Sequence, residues 1–187
     1  MRLRLGFLIV CLGLLFGSAL GGSATASHSS LNAARGFDEY RLYYAGAETG
    51  AFQLNVVDRG ETRRKGKRSS IWNFGYGTCT PPPDEGGCNL PVQIQNWSTC
   101  IRWAGIYPGK PRLFGFRGAK AAWVPTAGSF EVYTGRTTAV IFAHSRQLAE
   151  SAAWALRSVR QGESPAKLPP PAKGSLRGNL PCQRNPT

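Results

Sequence analysis

Three sets of side chains in this sequence could do chemistry: an acid–base set, a cysteine set and a run of cations. The acid–base candidates are His144, Tyr133 and the adjacent acids Asp84 and Glu85. A hydrolase would need an imidazole to move a proton and a carboxylate to orient it, all converging on one cleft. The supply is thin: His28 and His144 are the only histidines, and Asp38, Asp58 and Asp84 the only aspartates. Residues 105–111 read Gly-x-x-x-Gly-Lys-Pro, one residue short of a phosphate loop and with proline where the magnesium-binding hydroxyl belongs. The expected role is therefore non-catalytic, with a hydrolase using a dispersed site around Asp84, Glu85, His144 or Tyr133 as the alternative.

The cysteines point to structure rather than reaction. Cys11 lies inside an apolar run, which leaves Cys79, Cys88, Cys100 and Cys182. An even number in an exported chain predicts two disulfides. Cys79 and Cys88 flank Pro81-Pro82-Pro83 and Gly86-Gly87, a stiff arm and a turn that bring the ends together, so they pair first and Cys100 pairs with Cys182. Closing those loops is worth about 2.7 and 4.5 kcal/mol respectively on the chain-entropy estimate. There is no C-x-x-C spacing, so no metal and no cofactor is expected.

The cationic set is the densest feature. Arg63, Arg64, Lys65, Lys67 and Arg68 put five charges into six residues, in a chain of net charge +13. Coulomb attraction then favours an anionic envelope polymer, lipid headgroups or an acidic partner protein. Nucleic acid is disfavoured, because no aromatic residue interleaves with the run. The run lies between two strand-like segments and reads as a solvated loop held open by its own repulsion. Trp154 is the other candidate contact; it falls on the polar side of a helix, either as a partner-facing anchor or covered by the tail.

The elements that position these residues begin after residue 26. Arg2 and Arg4, an apolar run over residues 5–20 and the small-residue stretch ending Ala24-Thr25-Ala26 have the layout of a secretory signal peptide. The alternative is an uncleaved anchor through residues 5–20, short of the ~20 residues that a spanning helix needs. Cleavage leaves 161 residues and a charge of +11. Residues 27–36 read as a flexible lead-in, residues 37–160 as a single α+β domain, and residues 161–187, with six of the thirteen prolines, as an extended tail.

Within the domain the apolar residues recur every second position. Phe52, Leu54 and Val56 share a strand face, as do Trp72, Phe74 and Tyr76, and Leu90, Val92 and Ile94, the last alternating with Gln93 and Gln95. Residues 119–124 form a further strand stopped by Pro125, and residues 130–132 and 138–143 a hairpin about Gly135 whose second strand is central. Residues 146–160 carry helical spacing, with Ser145 as N-cap. The sum is an antiparallel sheet of five or six strands with one C-terminal helix packed on a face, stapled by disulfides. Asn96-Trp97-Ser98 matches a glycosylation acceptor in form only, since it ends a strand.

The run Phe74-Gly75-Tyr76-Gly77-Thr78-Cys79, then Gly87-Cys88, residues 90–97 ending in Trp97, Cys100, Arg117-Gly118 and Tyr133-Thr134-Gly135-Arg136-Thr137-Thr138 resembles a group of exported, actinobacterial-type bacterial proteins. That group shows a YGxC…GCxxPxxxQxW…C core and a YTGRTT hairpin. The resemblance spans about residues 40–160 and implies an envelope-associated α+β domain with a signal peptide or lipid anchor, and no particular activity. This chain departs from it in lacking a lipobox and in adding Cys182. The expected location is extracytoplasmic, and a purely structural stapled module is the third reading.

Overall fold

A computed structural model describes residues 28–79, 90–161 and 166–182. In chain order the elements are α1 (His28–Gly36), β1 (Tyr43–Tyr44), β2 (Glu48–Thr49), β3 (Phe52–Arg64), β4 (Lys67–Tyr76), β5 (Val92–Ser98), β6 (Phe114–Phe116), β7 (Ala119–Val124), β8 (Ser129–Thr134), β9 (Thr137–Ala143), α2 (Arg146–Trp154) and β10 (Arg157–Ser158). Eight strands form one antiparallel sheet in the order β2-β3-β4-β5-β9-β8-β7-β6, and β1 pairs with β10 beside it.

The architecture is the expected antiparallel sheet with a helix on it, but the sheet is larger. All six strands read from the sequence are present, as β3, β4, β5, β7, β8 and β9, and β9 is central between β5 and β8. The additional strands are two or three residues long, too short to show a period. Helix α1 forms where a flexible lead-in was expected. Helix α2 has its predicted N-cap, Ser145 accepting from the Leu148 amide, yet stops at Trp154 rather than running to residue 160. Beyond it Arg157 and Ser158 are taken up by pairing with Tyr44 and Tyr43.

One face of the sheet and α2 enclose the main core, which includes Phe74, Ile94, Val132, Ile141 and Leu156. The strand phase changes once: a bulge between Leu54 and Val56 puts Val57, not Val56, into the core. The extra residue on a bulged strand shifts every later side chain to the other face. Asn96 is fully buried and acts as a substitute strand, its Oδ1 accepting from Tyr43 N at 2.7 Å and its Nδ2 donating to Tyr43 O at 2.8 Å. Both ends of its amide are thus engaged, so it offers no nitrogen to a glycan in the folded domain.

Candidate functional site at the cationic end of the sheet

Antiparallel order sends three two-residue turns to one end of the sheet: residues 65–66 joining β3 to β4, 117–118 joining β6 to β7, and 135–136 joining β8 to β9. Each carries a cation, Lys65, Arg117 or Arg136. The connections at the opposite end over residues 50–51 and 125–128 carry no charge. Two of the three cations serve as clamps. Arg117 donates to the carbonyls of Trp154 (2.8 Å) and Leu156 (3.0 Å), satisfying the end of α2 where the helix dipole is negative. Arg136 donates to Pro181 O at 2.8 Å.

The run Arg63 to Arg68 is not an open loop. β3 and β4 continue to Arg64 and Lys67, and Lys65 and Gly66 make a tight turn with φ of 47° and 75°, the sign pattern of the hairpin turn that suits strand twist. The register then sets Arg63 opposite Arg68 and Arg64 opposite Lys67. Like charges facing each other across a ladder cost about 0.2–1 kcal/mol per pair. Among the described residues none of these five cations has an acid within ion-pair distance.

The fold also supplies the aromatic neighbour that the linear sequence lacks. The Arg64 guanidinium lies 5.2 Å from the Trp103 ring centre, and Gly178 of the tail packs against the same ring. A Cβ at Gly178 would come within 2.6 Å of that ring, at a backbone φ of +69°. Gly178→Ala is therefore expected to lift the tail from Trp103 at a cost of about 2–4 kcal/mol, from left-handed strain and overpacking together. Amide hydrogen exchange over residues 166–182 checks this, and unchanged protection there would refute it.

The described part of the tail, residues 166–182, packs on the domain. Cys100 and Cys182 form the expected disulfide. Cys79 is also disulfide-bonded, while Cys88, its expected partner, lies outside the described residues. Leu168 is buried in the core, Leu168 N donates to Arg117 O at 2.6 Å, and Gly135 exchanges bonds with Pro170 O and Ala172 N. The tail thereby closes the turns at the cationic end, adding exposed Lys167, Lys173 and Arg177. It leaves Trp154 61% exposed, so of the two readings for that ring, coverage fails.

Beneath this end sits a buried charge cluster that the sequence did not reveal. Glu131 is fully buried; its Oε1 accepts from Arg102 Nε at 3.0 Å and Tyr107 Oη at 2.5 Å, and its Oε2 from Tyr133 Oη at 2.7 Å. Arg102 also stands over the Trp97 ring at 5.2 Å and the Tyr107 ring at 5.5 Å. Burial, then the Glu131 charge, pushes the Tyr133 hydroxyl far above its ordinary range; burial and the hydrogen bond to Glu131 do the same to Tyr107. Both carboxylate oxygens of Glu131 are occupied by donors, so the cluster ties loop 99–113 to the sheet.

The hydrolase set does not assemble from the described residues. Tyr133 is opposite Thr138 near the cationic end and His144 follows β9 at the other, six residues or about 20 Å along the strand. Asp84 and Glu85 lie outside the described residues. Asp38 and Asp58 line an open cleft of about 530 Å³ between α1 and β3, together with Ser30, Phe37, Arg59 and Trp72. No group of three His, Cys, Asp or Glu side chains among the described residues could hold a metal ion. No protein-family model, no curated protein and no solved structure matches the chain.

Proposed function

We propose that the chain is an exported, envelope-associated domain that binds an anionic component of the envelope through the cationic end of its sheet. The observation that carries this reading is the pair of like-charge juxtapositions, Arg63 with Arg68 and Arg64 with Lys67, kept at the tip of a tight hairpin with no acid within ion-pair distance among the described residues. A bound polyanion relieves that repulsion. The signal-peptide layout of residues 1–26, the resemblance to exported proteins and the disulfide between Cys100 and Cys182 support an oxidising, extracytoplasmic setting.

The same charges have a second use: β2 covers only Phe52 and Gln53, so they also keep the rest of the outer edge of β3 from pairing with another chain. One variant separates the two uses. Arg63→Ser, Lys65→Asn, Lys67→Ser and Arg68→Ser together leave Arg64 on Trp103 and give the turn a residue that tolerates positive φ. At about 1 kcal/mol per cation near a charged surface, the variant is expected to bind an isolated envelope fraction about 10²–10³-fold more weakly. Binding by the parent should fade between about 0.01 and 1 M salt, as the Debye length contracts from about 30 to 3 Å. Co-sedimentation measures both, and undiminished binding by a variant that self-associates assigns the charges to edge protection instead.

A further inference from the structure

We propose that the anionic component is a lipid bilayer surface, with Trp154 and Phe114 seated in the interface while the cations of the same sheet end hold the headgroups. This rests on the reading above and narrows it to one source of negative charge. Trp154 and Phe114 are the two large hydrophobic side chains left exposed among the described residues, at 61% and 42%. They are held outward on a buried aromatic base. The Trp154 ring packs on Phe116 at 4.8 Å, Phe116 on Phe130 at 5.5 Å, and Phe114 on Phe130 at 6.0 Å.

The direction of α2 places the larger anchor. The helix starts after β9, at the end away from the charged turns, and its last residue is Trp154, whose carbonyl is held by Arg117 of the 117–118 turn. Trp154 therefore belongs to the cationic end, with the exposed cations Arg112, Lys120 and Lys167 on the segments around the aromatic pair. A soluble polyanion would satisfy the cations and leave both rings in water. A bilayer interface takes both at once, because amphipathic rings settle at headgroup depth and Lys and Arg are drawn to anionic lipid. No helix among the described residues is long and apolar enough to cross a membrane, so the described fold would attach from the side.

The test uses residues 27–187, which retain every described element, with three probes: phosphatidylcholine vesicles, the same vesicles containing about 30 mol % phosphatidylglycerol, and soluble polyphosphate. The expected result is binding to the anionic vesicles and not to the neutral ones. Trp154→Ser should weaken vesicle binding about tenfold and leave polyphosphate binding unchanged, and quenching of tryptophan emission by brominated lipid should fall in that variant. Phe114→Ser is a second variant with the same expected pattern. Equal vesicle binding by parent and both variants, or binding to polyphosphate alone, overturns the bilayer and leaves the anionic reading standing. Binding to neither anionic probe overturns both, and a requirement for a protein partner that fills the aromatic patch overturns the bilayer alone.

Discussion

Arg102→Ala is expected to destabilise the domain by about 3–5 kcal/mol, because it leaves the Glu131 carboxylate fully buried without its counter-charge. In a domain of this size that corresponds to a fall in Tm of about 6–20 °C. The loss should exceed that of Glu131→Gln, which keeps an acceptor for the tyrosine hydroxyls. The double variant should recover part of the Arg102→Ala loss, since the charge it strands is gone. Thermal unfolding of the four proteins closes the cycle; a shift below about 2 °C for Arg102→Ala would show that loop 99–113 is held by other contacts.

The consequence reaches the candidate site. Arg102 and Trp103 are neighbours, Cys100 carries the staple to the tail, and Thr138 Oγ1 bonds to Arg102 O at 2.7 Å. Loosening Arg102 should therefore release Trp103 from Arg64 and weaken anion binding, although Arg102 itself is turned inward to Glu131.

How much of this was legible in the sequence depends on how local each cause is. Strands β4, β5 and β8 could be read because alternation of apolar and polar residues is a direct record of two faces, β7 from the Pro125 that stops it, and β9 as a run apolar on both faces after the Gly135 turn. Helix α2 could be read from Ser145 and the alanine-rich stripe, but its end could not, because Arg117 and the pairing of β10 with β1 decide it from distant parts of the chain. Strand β1 is invisible for the same reason: Tyr43 is held by the side chain of Asn96, 53 residues away. Glu131 alternates with Phe130 and Val132 and so reads as solvent-facing; only the loop and tail folded over that face make it a buried charge. The cationic run was plain as composition. That its members face each other across a ladder, beside Trp103, follows from turn geometry and a disulfide that composition does not encode.

Above pH 10 the domain is expected to lose stability steeply, because three buried tyrosines hold protons that the unfolded chain gives up. Tyr40, Tyr76 and Tyr133 are each at most 5% exposed, and burial is the largest cause pushing each hydroxyl well above its ordinary value. Glu39 adds to the rise at Tyr40, and Glu131 at Tyr133. Each hydroxyl is used in the fold: Tyr40 Oη lies 2.8 and 2.9 Å from the carbonyls of Ser70 and Asn96, and Tyr76 Oη accepts from Ala45 N at 2.7 Å. Below pH 10 both states keep these protons and the stability is fully present. As pH rises through the unfolded value of about 10 toward the higher folded ones, only the unfolded chain releases them, and the folded state loses ground by about 4 kcal/mol per pH unit for three protons. Against a total stability of about 5–15 kcal/mol, unfolding should follow within a few units. Tyr107, only partly buried, is left out of that count. Tyrosinate absorbance and far-ultraviolet circular dichroism should change together at one midpoint, and Tyr40→Phe should reduce the slope of stability against pH by about a third. Ionisation of all six tyrosines near pH 10 with the sheet signal intact would overturn this account.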